Sequence, residues 1–168
     1  MRELVVSIRR PVPADAVGLT DVHDAAWREA YRGLLPGLAL ERMIARRGPG
    51  WWHATIKRQR PILVLDLGDR IGGYVSYGPS RTLVLPQRGE IDELYLDPLF
   101  QGLGFGTKLF ATARRDLASN GLKGLVVWAL ADNIRACQFY ERLGGRRAAT
   151  APARFSGVTL EKVAYTFA

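Results

Sequence analysis

The sequence predicts an α/β fold, on three observations. Short apolar runs bounded by glycine or proline, as strands are, alternate with longer stretches whose apolar residues recur at helical spacing. The order of these elements is β-α-α-β-β-β-α-β-α-β-β, with no internal repeat. The 168 residues are 48% apolar and 24% charged, which is enough to bury a core and solvate the outside as one compact domain spanning residues 1–168.

Residues 4–8 form a first apolar run, ended by Pro11 and Pro13, which cannot donate to a sheet ladder. Over 14–31, Val17, Leu19 or Thr20, His23 or Asp24, Trp27 and Tyr31 recur near helical spacing until Gly33 and Pro36 break the pattern. Residues 38–45 resume it as a second helix, and 51–58 add a helical turn or two after Gly48-Pro49-Gly50. Beyond Pro61 the character changes. Residues 62–65 and 71–77 flank the turn Gly68-Asp69-Arg70 and predict a hairpin, and 90–96 predict a further strand.

The glycine-rich turn QGLGFG then opens a helix over 104–120, with Leu109, Phe110, Ala113 and Leu117 on one face and Asn120-Gly121 as its stop. Residues 125–130 are continuously apolar, as in a strand covered on both faces. A helix over 133–143 ends at Gly144-Gly145, and 147–150 with 158–167 predict a last antiparallel pair.

Composition excludes several classes. No stretch approaches the roughly 18 apolar residues of a membrane span, and the N-terminal segment lacks the apolar run of a signal peptide, so a cytoplasmic protein without a membrane partner is expected. Cys137 is the only cysteine, which leaves no internal disulfide and no cysteine cluster for a metal. His23 and His53 show no partner pattern for a metal or a triad, and no metal is expected. The net charge is +8, and 20 of the 24 basic residues are arginine. They are scattered in ones and twos rather than gathered in a stripe interleaved with aromatics, which argues against nucleic acid as the main partner. A phosphorylated cofactor needs only a few such charges.

The segment from Glu90 to Gly106 carries the chemistry. A helix N-terminus leaves its first N–H groups unpaired and positively polarised, and glycines let a ligand approach the backbone, so Gln101-Gly102-Leu103-Gly104-Phe105-Gly106 is suited to phosphate. The spacing fits neither a P-loop, since Thr107-Lys108 follow Gly106 in the wrong order, nor a dinucleotide fingerprint. About 27 residues on, a helix opens with Asn133 and presents Ala136, Cys137 and Tyr140 on the same face. Seven residues make nearly two turns, roughly 10 Å along the axis. On its own, that stripe suits a core-facing surface better than a groove lying along a ligand, and the glycine turn reverses the preference.

Together, Q-x-x-G-x-G at 101–106 and N-x-x-A-x-x-F-Y-E-x-L-G at 133–144 resemble the GCN5-related N-acetyltransferase (GNAT) superfamily, as does the early Ala30-Tyr31-Arg32-Gly33-Leu34-Leu35-Pro36. The resemblance implies a mixed, mostly antiparallel sheet, flanked by helices and splayed between its fourth and fifth strands, with acetyl-CoA in the gap. Leu94, Tyr95 and Leu96 would serve the pantetheine and thioester. Gln101, Gly102, Leu103, Gly104, Phe105, Gly106 and Thr107 would meet the pyrophosphate, and Asn133 and Tyr140 would approach the cofactor from the second motif. The implied activity is direct transfer of the acetyl group to a primary amine of a small molecule or peptide.

Such a transfer needs a base for the amine and a proton for the departing thiolate. Tyr140 is the candidate acid. Glu90, Asp92 and Glu93 are the candidate bases. Strand parity puts Glu90 and Asp92 with Leu94 and Leu96 and turns Glu93 the other way, unless a bulge shifts the register. Glu90 matches the basic glutamate of histone-acetylating members, and Asp92 and Glu93 match acidic positions of polyamine-acetylating ones. Trp27 and Tyr31 are candidates for acceptor contacts, because the family places its first helices over that site. A homodimer is compatible with all of this. The alternatives are a CoA-binding regulatory module without turnover and a basic nucleic-acid-binding domain.

Overall fold

The computed structural model describes residues 5–168. The elements are β1 (Ser7–Arg9), α1 (Ala16–Tyr31), α2 (Gly37–Ala45), α3 (Pro49–Lys57), β2 (Ile62–Asp66), β3 (Ile71–Pro79), β4 (Gly89–Leu96), α4 (Phe105–Ser119), β5 (Leu125–Leu130), α5 (Ile134–Arg142), β6 (Arg146–Phe155) and β7 (Val158–Phe167). They build a seven-stranded sheet in the order β1-β2-β3-β4-β5-β7-β6. β4 and β5 run parallel, whereas β1–β2, β2–β3, β5–β7 and β6–β7 are antiparallel. The β4–β5 register covers only Gly89–Ile91 against Leu125–Val127, although both strands run on, to Leu96 and Leu130.

The chain divides into two compact units: one comprises the residues up to Ser76 together with Glu93–Ala113, the other Tyr77–Asp92 together with Arg114–Ala168. In the first, α1 buries Leu19, Val22, His23, Ala26 and Trp27, a stripe at steps of three, one, three and one residue. Ala16, Leu19 and Val22 pack with Trp52 and Ile56 of α3 and with Ile62, Val64 and Tyr74 of the strands. Arg9 ties β1 down by reaching Asp66 at 2.9 Å and Asp15 at 2.8 Å. In the second unit, β5 lies along β7 from Leu125↔Phe167 to Leu130↔Lys162, and β6 closes a long hairpin. The turn of that hairpin has left-handed backbone at Ser156 (φ 45) and Gly157 (φ 83).

Several boundaries differ from expectation for local reasons. The first strand is shorter than residues 4–8, and Leu4 lies outside the described residues. The stretch over 51–58 is a full third helix, because Gly48 and Pro49 start it at the positions those residues favour. β6 runs through Ala151, Pro152 and Ala153, well beyond residue 150. These are weak strand formers, and it is β7 that holds them in register; Pro152 is tolerated because β6 is the edge strand.

Candidate functional site

The glycine turn follows β4 through a short 3-10 turn at Pro98–Phe100, capped by the Asp97 carboxylate, which accepts from the Leu99 amide at 2.9 Å. Gly102 (φ 75) and Gly104 (φ 85) are both left-handed, a conformation that costs any residue with a Cβ. A Cβ at either would meet nothing within 4 Å, so the space beside them is open. The helical ladder of α4 starts with Lys108 N donating to Gly104 O at 3.3 Å. The amides of Phe105, Gly106 and Thr107 therefore precede the ladder, and the first turn of α4 holds no acidic residue. The Gln101 side chain holds the turn in place, its Nε2 donating to Glu29 at 3.0 Å and to the Leu96 carbonyl at 3.3 Å. The Gln101 amide is itself spent on Pro98 O, at 3.5 Å.

The side chains of β4 are placed by different neighbours in the two units. A Cβ on Gly89 would meet Leu117 of α4 at 3.1 Å, so Glu90 and Asp92 point away from that helix. Further along, a Cβ on Gly73 would meet both Leu96 and Leu109 of α4, which puts Leu96 on the α4 side. Tyr95 and Glu93 turn to the opposite side, where both meet Tyr74. Within the first unit Glu93 therefore faces away from Leu96, and within the second Glu90 and Asp92 face away from Leu117.

In the second unit Glu90 is buried, and its Oε1 accepts from Thr82 Oγ1 at 2.7 Å and from Ser80 Oγ at 3.3 Å. Trp128 Nε1 donates to the same Thr82 hydroxyl at 2.9 Å. Arg81 lies 2.8 Å from Asp92 and 3.7 Å from Glu90. Arg81, Thr82, Glu90, Asp92 and Trp128, with Leu83, Val84, Ile91 and Lys162, line a cavity of about 550 Å³.

In the first unit Glu93 takes a different partner set. Arg47 reaches it at 2.5 Å and Tyr74 donates to it at 3.3 Å, while the Arg47 guanidinium lies over Trp51 at 4.7 Å and Trp27 at 5.4 Å. Trp27 stacks obliquely on Tyr31 and Tyr95, and burial pushes the Tyr31, Tyr74 and Tyr95 phenols up. Trp27 Nε1 is buried without a hydrogen-bond partner among the described residues.

Asn133 caps α5, accepting from the Ala136 amide at 3.2 Å. Its face of the helix continues through the buried Cys137 and Tyr140. The Tyr140 ring lies against Phe139 and Tyr165, and burial holds its phenol well above the ordinary value of 10. Among the described residues no group of three or more His, Cys, Asp or Glu is placed to hold a metal ion, and no helix is long and apolar enough to cross a membrane.

Arg47, Arg81, Thr82, Trp128 and Lys162 were not singled out by the sequence pattern. Only Trp128 had a local signal, since an indole in an otherwise aliphatic strand stands out. Nothing separates Arg47 and Arg81 from the other arginines until the fold does.

The sequence matches the acetyltransferase (GNAT) family over residues 19–145, a span that contains the glycine turn, β4 and α5, and the chain belongs to that family. It is similar to a probable N-acetyltransferase of Mycobacterium tuberculosis, with 27% identity over 98% of this chain and 95% of the relative. The fold is similar to that of PaiA N-acetyltransferase from Thermoplasma acidophilum, solved in complex with coenzyme A (TM-score 0.75, 16% identity, 94% of this chain and 98% of that one). It is likewise similar to YncA from Salmonella typhimurium, solved with acetyl-CoA (TM-score 0.68, 20% identity, 97% of this chain and 93% of that one).

Proposed function

We propose that residues 1–168 act as one acetyl-CoA-dependent N-acetyltransferase domain that transfers the acetyl group directly to a primary amine of a small molecule or peptide. The observation that carries this reading is the turn at Gln101–Thr107, where two left-handed glycines with open space beside them lead into unpaired helix amides. This is the chemistry a pyrophosphate requires. The coenzyme A and acetyl-CoA bound to the structural relatives support the same ligand here.

In this reading the amides of Gly102 to Thr107 hold the pyrophosphate, with Gln101 acting through its side chain to fix the turn. Leu94, Tyr95 and Leu96 offer backbone groups to the pantetheine arm, and Asn133 and Tyr140 approach it from α5. Acetyl-CoA supplies the activated acetyl group. Tyr140 keeps its proton across the neutral range because burial raises its phenol, so it can donate to the thiolate as the C–S bond breaks. Glu93, beside Tyr74, and Glu90 with Asp92 at the cavity are the carboxylates available to the incoming amine. Glu90 already accepts two hydroxyl hydrogen bonds, from Ser80 and Thr82. Trp27, whose indole N–H is unpaired, and Tyr31 are the proposed acceptor contacts.

The test is thermal. Acetyl-CoA near a millimolar raises the melting temperature of the protein by mass action, and an amine panel then releases free CoA. Gly104→Val abolishes the shift, because its backbone is left-handed and a side chain enters the open space. Absence of any cofactor shift in the unmodified protein overturns the reading. A shift without CoA release from any amine favours the regulatory CoA-binding module instead.

A further inference from the structure

The cavity of the second unit is of a size that small-molecule sites occupy, and its lining charges are balanced. Glu90 and Asp92 contribute two carboxylates, and Arg81 and Lys162 two cations. Arg81 is committed to the carboxylates. Lys162 is placed differently: its Nζ lies 4.4 Å from the centre of the Trp128 ring, and among the described residues it makes no ion pair. It is half-buried on β7, beside the end of β5 where Leu130 pairs with it. An ammonium held against an indole has given up part of its hydration without gaining a counter-ion. The Trp128 ring is held in turn, since its N–H is fixed on Thr82.

We infer that this cavity takes an amine that also carries an anionic group, an amino carboxylate or amino phosphate, with the anion on Lys162 and the ammonium on Glu90 and Asp92. The inference rests on the acetyl-transfer reading for the amine half of the ligand. An oligocationic acceptor would satisfy the carboxylates but set a second positive charge against Lys162, whereas a zwitterion matches both signs of the wall. The ammonium displaces Arg81, whose side chain is 77% exposed and therefore costs little to move.

The experiment is equilibrium binding by calorimetry, with the full chain in the presence of CoA, using matched pairs: phenethylamine against phenylalanine, ethanolamine against O-phosphoethanolamine, and spermidine as the oligocation. The member of at least one pair that carries the anionic group binds about tenfold or more tightly than its partner without one, as a charge-assisted hydrogen bond implies. The pair showing the advantage tells carboxylate from phosphate. Lys162→Met removes it and Lys162→Arg retains it. Equal binding within both pairs, tightest binding by spermidine, or an advantage that survives Lys162→Met overturns the inference. CoA release is followed in parallel and tests the activity separately. Turnover without preference for the anionic amines defeats only this inference, and selective binding without turnover defeats only the activity.

Discussion

Each unit brings an arginine and a β4 carboxylate together, and the two pairs sit in opposite surroundings. Arg47 and Glu93 meet among Trp27, Trp51 and Tyr74, with side chains 27% and 17% exposed. Arg81 meets Asp92 and Glu90 at the wall of an open cavity. In low dielectric, losing one partner strands a charge, whereas at an exposed wall water replaces it. In the first unit, then, the pair is enclosed by other side chains, whereas in the second it stands at a cavity wall with Arg81 mostly in water. Substitutions of Arg81 are therefore expected to cost less stability than those of Arg47.

The largest effect that would sharpen this contrast is Tyr140→Phe, in the second unit. Loss of the proposed proton donor should lower kcat by about 10²–10⁴-fold when the chemical step limits the rate, while stability falls by only about 1 kcal/mol, since the ring and its packing on Tyr165 remain. Steady-state kinetics beside a denaturant titration reads both. An unchanged kcat with chemistry shown to be rate-limiting removes Tyr140 from the mechanism.

Arg47→Ala comes next, and it should act through the fold. It leaves Glu93 with only the Tyr74 hydroxyl and removes two indole contacts, so unfolding free energy drops by about 2–3 kcal/mol. Chemical denaturation measures it, and a loss no larger than that of an exposed pair would erase the distinction between the units.

How much of this was legible beforehand depended on whether a feature was local. The stripe Leu109, Phe110, Ala113 and Leu117 places α4 on its core from sequence alone, and all four are buried as their spacing requires. The two glycine-turn conformations likewise follow from residue type. The side that Leu96 takes does not, because it is read only from the approach of Leu96 and Leu109 to Gly73. Neither does the partner of each carboxylate: Arg47 is 46 residues from Glu93 and Arg81 is 11 from Asp92. Those pairings are set by chain topology, which composition and periodicity do not encode.

A pH effect distinguishes the first unit again. Burial pushes the His23 imidazole below its ordinary 6.5, against the opposing pull of Asp24 and Glu93 and with the help of Arg47. The folded chain therefore refuses a proton that the unfolded chain accepts. The stabilising contribution is full above pH 6.5 and is lost as pH falls from there toward the depressed folded value, with a slope of at most about 1.4 kcal/mol per pH unit. Stability measured from pH 7 to 5 should fall more steeply in the unmodified protein than in His23→Gln. Because His53 is present in both proteins, their difference isolates His23. Parallel curves would mean that the buried imidazole takes up its proton in the folded state as readily as in the unfolded one.

Arg81→Ala should produce the smallest change, and that smallness is what the contrast between the two arginines requires. The guanidinium is mostly in water, so the variant trades one hydrated ion pair for separate solvated charges, at no more than about 1 kcal/mol. Glu90, the buried member of the cluster, keeps the hydroxyls of Thr82 and Ser80 and is not stranded. Whatever difference remains at low ionic strength should narrow in about 0.5 M salt, where the screening length is only a few ångströms. The Arg47→Ala deficit should persist there, because the aromatic rings around Glu93 exclude the counter-ions. Denaturant titrations of the two variants at two salt concentrations make the comparison directly. A salt-insensitive loss of several kcal/mol on removing Arg81 would mean that the cavity wall depends on this arginine for its structure, and the distinction between an enclosed pair in the first unit and a solvated one in the second would fail at its clearest point.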